Sequence, residues 1–387
     1  MKKTERGNKT LKKGHKILIV ILIILLAALI AAFFVLDYRQ KQQAKEAAQT
    51  ETNAAEKKSD VKKEEEKQPE EVSPQGPVSA LTGLPLEHAD AAGRRLVAVM
   101  IENTKAALPH AAINRAGIIY ECPMEGGISR YMALFDDYDG LDIVGNVRSC
   151  RPYFAYFASE YNAVYIHYGQ SVQGEEVLKS GIVDEMNGLD GTISNQVFFR
   201  SSDRKAPHNA FTSAAGITAG IEAKGFDTAN KAANHFSFSG TENTLASGTD
   251  CKALTVYYPN SKPYFVYDDA SKTYQRFEFN APETDSVDGQ QIAVRNIIIE
   301  QAPVSNYEGF EYLNIPLTGS GSGKFLTNGK MVDITWSKAG NTDITHYYMP
   351  DGSEIALNPG KTWICLESSS AMEKNTYFAT QDQLTGN

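Results

Sequence analysis

The chain has 387 residues and a formal charge of −9, with 42% hydrophobic and 22% charged residues, an ordinary composition for a protein that buries a core and long enough for two domains. The charge is uneven: residues 1–16 carry seven Lys/Arg against Glu5, a net of +6 within −9, so the remainder carries −15. A body this acidic excludes the basic footprint of a nucleic-acid-binding protein.

Behind the basic tip (1–16), Ile17 to Leu36 run for 20 residues without a charge or a hydrogen-bonding side chain. At 1.5 Å per residue such a helix is about 30 Å long, the thickness of a bilayer's hydrocarbon core. Basic residues on its N-terminal flank place that end in the cytoplasm. The expectation is therefore a transmembrane anchor at 17–36, single-pass, with a cytoplasmic N-terminus and an extracytoplasmic body. A cleaved secretory signal is the alternative; its apolar region is usually only ~7–15 residues long, and it would export the same body. Residues 37–76 are rich in Lys, Glu, Gln and Ala and poor in large apolar side chains, which predicts a disordered or partly helical charged linker.

From 77 to 245 the pattern predicts an α/β domain. Leu96–Ile101, Gly117–Glu121, Tyr131–Phe135 and Ala163–His167 read as strands, and Pro152–Tyr161, Gly174–Lys179 and Ala214–Lys224 as helices. From 250 to 370 it predicts a smaller, mainly-β domain, with strands at Ala253–Tyr258, Tyr264–Tyr267, Tyr274–Phe279, Ile292–Glu300, Met331–Trp336 and Thr362–Leu366. Residues 371–387 form a tail. Asp268-Asp269 and Asn328-Gly329 read as hairpin turns. The run Gly319-Ser320-Gly321-Ser322-Gly323 reads as a flexible loop, without the GK[ST] ending of a phosphate-binding P-loop. Trp336, Trp363 and the strand tyrosines are assigned to the core. Cys122, Cys150, Cys251 and Cys365 are either disulfides, which an exported chain permits, or buried thiols.

Candidate chemistry gathers at strand ends beside glycines, where α/β folds build sites. Glu102 closes the first strand and Glu121 the second. Glu125-Gly126-Gly127 leads to Ser129-Arg130, and Arg148-Ser149-Cys150-Arg151-Pro152 runs into a helix. With Ser149 as N-cap and Pro152 in the first turn, that helix start joins its partial positive charge to two arginines, a setting for a carboxylate or phosphate; alternatively the arginines simply pair with Glu102, Glu121 or Glu125. Glu121 and Glu125, with His167 at a strand end, are the candidate catalytic acid/base residues. Glu102, Arg130, Arg148, Ser149, Arg151, Arg204 and His208 are the candidate ligand-binding residues. Cys150, between arginines, would be acidified. No metal or other cofactor is expected, since the histidines and cysteines lack metal-ligand spacing.

Several of these stretches resemble the YerB-like family of bacterial envelope lipoproteins: Val99-Met100-Ile101-Glu102-Asn103, Tyr120-Glu121, Glu125-Gly126-Gly127-Ile128-Ser129-Arg130, Val147-Arg148-Ser149-Cys150-Arg151-Pro152 and Ala206-Pro207-His208-Asn209. Ile334-Thr335-Trp336-Ser337-Lys338 and Leu357-Asn358-Pro359-Gly360-Lys361-Thr362-Trp363 resemble that family's second domain, so the likeness spans about 80–366. It implies a two-domain envelope protein and no established reaction. Family members often carry a lipid-modified cysteine; no cysteine lies close behind the apolar run here. The residues and the resemblance together lead to a membrane-anchored envelope protein binding an anionic or glycan ligand in a Glu/Arg/His cleft, with the membrane and a cell-wall polymer or envelope protein as partners. The alternative is an enzyme cleaving wall glycan or peptide through Glu125 or Glu121.

Overall fold

A computed structural model describes residues 76–385. The basic tip, the 17–36 anchor and most of the linker lie outside the described residues; among those described, no helix is long and apolar enough to cross a membrane.

The first region is mixed α/β. Strands β1 (Val97–Asn103), β2 (Ile118–Pro123) and β3 (Ser129–Phe135) are followed by helix α1 (Pro152–Glu160) and β4 (Val164–His167). Helix α2 (Val172–Lys179), β5 (Glu185–Asn187) and helix α3 (Ala214–Lys224) follow, with shorter segments between them. Each helix starts where local chemistry allows. Ser171 and Ser213 cap α2 and α3 by accepting from the amides of Gly174 and Gly216, and Pro152 opens α1, where a missing N–H costs nothing.

The second region is mainly β: β6 (Ala253–Thr255), β7 (Tyr264–Asp268), β8 (Thr273–Glu278), β9 (Asn296–Gln301), β10 (Gly319–Thr327), β11 (Lys330–Lys338) and β12 (Thr362–Glu367). Both expected turns connect hairpins, β7–β8 and β10–β11. Asn328 and Gly329 both have positive φ (51° and 69°), as a two-residue turn matched to strand twist requires.

One 11-stranded sheet contains strands of both regions. Along its main path the named strands run β11-β10-β9-β12-β2-β3-β1-β4-β5. The seam is the parallel pair β2–β12, where Ile119 faces Trp363 and Glu121 faces Cys365. Strands β1, β3 and β12 are buried at every position, because both sheet faces are covered. On one face, α1 packs Phe154 and Phe157 among Met100, Tyr120, Met132 and Leu134, with Tyr120 stacked on Phe157 at 4.3 Å. On the other, Phe265, Tyr274 and Leu254 of the second, six-stranded sheet meet Ile101, Ile119, Tyr131 and Trp363.

The glycine-rich run is not a loop. Gly319–Gly323 begins strand β10, and two of its three glycines answer to crowding rather than flexibility: a Cβ on Gly321 would stand 2.5 Å from Nε1 of Trp336, and one on Gly323 would stand 2.5 Å from the Ile299 carbonyl oxygen. All four cysteines are buried free thiols. Burial pushes Cys150 up to about 12 against the pull of the nearby Arg151, so the arginines do not acidify it. Trp336 and Trp363 are buried as expected, 2% and 0% exposed.

Candidate functional site

Side chains alternate across a strand, so the period of two decides which candidates meet. In register, Glu102 on β1 and Cys122 on β2 both lie opposite Arg130 on β3. These three point to the α1 face. Asn103, Glu121, Ser129 and Tyr131 point to the other.

On the α1 face the structure gathers Glu102, Glu125, Arg130, Arg148, Arg151 and His208. Glu102, 2% exposed, accepts from Nδ1 of His208 at 2.9 Å and lies 3.4 Å from Nε of Arg148. Arg151, at the N-cap of α1, holds both oxygens of Glu125, donates to the Cys150 carbonyl oxygen at 2.8 Å and lies over the Tyr312 ring. Burial pushes the Glu125 carboxyl up, but the Arg151 hydrogen bond and charge outweigh it and leave it below its ordinary range. Glu125 is therefore a poor proton donor near neutral pH.

Arg130 differs from its neighbours. It is 4% exposed, donates through Nη1 to the Ser149 carbonyl oxygen at 2.8 Å and makes no ion pair among the described residues. Its Nε is buried without a hydrogen-bond partner. Burial first, then Arg151 and Arg148, lowers its pKa to about 10, which still leaves it charged. Three guanidinium groups thus face two carboxylates.

The other candidates fall elsewhere. Ser149 does not cap the helix: Arg151 holds the N-cap position, and Ser149 Oγ donates to the Tyr168 carbonyl oxygen at 3.0 Å. Arg204 donates to the carbonyl oxygens of Ala107 and Pro109 and to Oδ1 of Asn146, stitching loops beside the site. His167 is a wall residue, fully buried between the Gly169 carbonyl oxygen (2.8 Å) and Glu185 (3.0 Å). Because His167 and His208 hold different carboxylates, they do not form a metal site together. Glu121 is sealed on the opposite face, taking hydrogen bonds from Ser129 Oγ (2.7 Å) and Trp363 Nε1 (3.0 Å) and pairing with Arg276 at 3.0 Å. Burial outweighs Arg276 and raises its pKa. Glu121 and Glu125 therefore do not flank one cleft.

Sequence reasoning missed the partners of Glu121. Arg276, Glu278, Glu283, His110 and Asn103 are all 0–2% exposed and surround it. In β8, Tyr274, Arg276 and Glu278 share the buried side while Phe277 lies on the other, so apolar alternation gave no signal for them.

Two family models of unknown function match this chain, the DUF3048 N-terminal domain over residues 81–227 and the DUF3048 C-terminal domain over residues 254–364. A relative named "Putative lipoprotein YerB", from Bacillus subtilis (strain 168), is 30% identical over 287 residues, covering 73% of this chain and 84% of the relative. The chain belongs to the DUF3048 family. Its fold agrees with that of a solved DUF3048 relative, the crystal structure of YerB protein from Bacillus subtilis, with a TM-score of 0.69 and 27% identity over 78% of this chain and 99% of that one. The resemblance read from the motifs is thereby confirmed. The two DUF3048 matches fall on either side of the β2–β12 seam, so each supplies strands to the shared sheet.

Proposed function

We propose that this chain is a membrane-tethered protein of the cell envelope that binds an anionic group, a carboxylate or phosphate on a wall polymer, through Arg148, Arg151 and Arg130 at the start of α1. The observation that carries this reading is Arg130, a buried guanidinium with no carboxylate partner and an unpaired Nε beside two further arginines. A surplus cation in a low-dielectric setting is costly alone and is offset by a bound anion, to which planar guanidinium groups donate in pairs. The first turn of α1 adds a partial positive charge. Tethering rests on the apolar run Ile17 to Leu36 with its basic flank and on the lipoprotein name of the B. subtilis relative.

The test is co-sedimentation of the detergent-solubilised full chain with purified cell wall. Binding is expected, and Arg148→Ala should weaken it roughly tenfold, the value of one charge-assisted hydrogen bond. Binding indifferent to Arg148 and to salt would overturn the proposal, and release of soluble wall fragments would replace it with an enzyme. Protease added outside cells stripped of their wall should digest the body of the chain while the inner membrane remains intact.

A further inference from the structure

Directly behind Glu102, on the face turned toward the second sheet, lies a sealed cluster of charges that anion binding does not use. Ligand atoms of His110, Glu278 and Glu283 lie within 4.8 Å of one another, and all three residues are 0–2% exposed. We propose that these residues bind one divalent first-row metal cation of the Zn2+ or Mn2+ kind, with Oδ1 of Asn103 as a further donor.

Three features of the geometry converge. The first is the orientation of His110. Its Nε2–H donates to the Glu102 carbonyl oxygen at 2.6 Å, so in the neutral ring the Nδ1 lone pair faces Oε1 of Glu283 at 2.9 Å. In the neutral ring that lone pair stands against a carboxylate oxygen, a contact that either a second ring proton or a metal cation between them relieves. An imidazole fixed through its far nitrogen by a backbone carbonyl is the way proteins orient a metal-ligating histidine.

The second is the division of carboxylate oxygens. Arg276 Nε takes Oε2 of Glu283 at 2.5 Å, and the Tyr131 hydroxyl donates to Oε2 of Glu278 at 3.2 Å. Oε1 of Glu278 is left buried with no partner. Asn103 also hydrogen-bonds to Glu278 and donates Nδ2–H to Ser129 Oγ at 2.8 Å, while its Oδ1 is buried and unpartnered. The unpartnered Asn103 Oδ1 and two carboxyl groups beside an imidazole nitrogen form a mixed N/O donor set, which suits Zn2+ or Mn2+.

The third is charge. Three acidic side chains, Glu121, Glu278 and Glu283, stand sealed from water against the single guanidinium of Arg276. A divalent ion would balance their ionised forms. The chain offers a second cluster, His88, Asp137 and Asp139, but its carboxylates already hold cations: Arg94 pairs with Asp139 at 2.6 Å, and Arg115 stands 3.8 Å from Asp137. That cluster serves as an internal control.

Elemental analysis of the full chain, as purified without chelator and after refolding with excess Zn2+ or Mn2+, tests the proposal. The expected result is about one equivalent per chain, retained through gel filtration. Glu278→Gln and His110→Gln should lose it, while Asp139→Asn keeps it. Refolding with Co2+ should produce a visible d–d band that Glu278→Gln abolishes; this near-isosteric variant keeps the test decisive if His110→Gln fails to fold. Absence of either metal after refolding, or full occupancy in folded Glu278→Gln, would overturn the proposal and leave His110 as a cation paired with Glu283. Loss of metal in Asp139→Asn alone would overturn it too, by assigning the metal to the control cluster.

Discussion

The two faces of the central sheet hold comparable numbers of charges and treat them in opposite ways. On the α1 face, Arg130, Arg148 and Arg151 outnumber Glu102 and Glu125, and Arg148, Glu125 and His208 are partly exposed. On the face toward the second sheet, Glu121, Glu278 and Glu283 outnumber Arg276, and every side chain of these four is 0% exposed. Neighbours in sequence fall on different sides: Glu102 and Asn103, Ser129 and Arg130, Glu121 and Cys122. Excess charge with access to water is suited to recognising an outside ligand. Excess charge that is sealed must be neutralised within the fold.

The sharpest way to break this comparison is to remove one cation from each face. Arg276→Met leaves three buried carboxylates facing one another and should cost about 3–5 kcal/mol in denaturant unfolding, as the loss of one partner of a buried pair does. Arg148→Ala, whose side chain is 24% exposed, should cost about 1 kcal/mol or less while weakening wall binding. Equal losses of stability would show that the two faces are not different in kind.

A second test uses pH. Glu300 is raised to about 7, first by burial and then by Glu160, although the Tyr347 hydroxyl donates to it at 2.6 Å. Between pH 4.5 and 7 the folded chain keeps this proton and the unfolded chain does not. Its contribution is therefore fully present below pH 4.5 and falls by about 3 kcal/mol as the pH rises to 7. Glu300→Gln should flatten that part of the profile, read as urea midpoints across pH. A profile unchanged by the substitution would place the sealed titration elsewhere. A smaller effect is expected at Gly321→Ala, where the new Cβ meets Trp336 and the Gln301 carbonyl oxygen at 2.5 and 2.9 Å. Overpacking of this kind should cost about 1–3 kcal/mol, read as a lowered Tm. A neutral result would restore the reading of this run as a flexible loop.

Much of the fold was legible because its signals are local. Helix α3 matches its expected span, from its serine cap to its terminal Gly225 at φ 67°, and the Asn328-Gly329 hairpin follows from turn chemistry alone. The Gly319–Gly323 strand was not legible, since a glycine selected for close approach to Trp336 looks in sequence like one selected for freedom. The site was half legible. Glu102, Arg130, Arg148, Arg151, Glu125 and His208 do gather, because strand ends and the start of α1 converge on one edge of the sheet. Glu121 was misplaced with them: sequence proximity joined what strand alternation separates. In β8 the buried set is Tyr274, Arg276 and Glu278, and the outward set includes Phe277, so hydrophobicity could not say which side faces in.

By itself, the sequence determined the local elements, the family and the residue types from which a charged site is built, since caps, turns and side-chain period act over a few residues. Only the tertiary structure decided which charges share a solvent-facing edge and which are sealed. That choice depends on β2 meeting β12 across some 240 positions of chain, and on the second sheet covering one face while α1 covers the other.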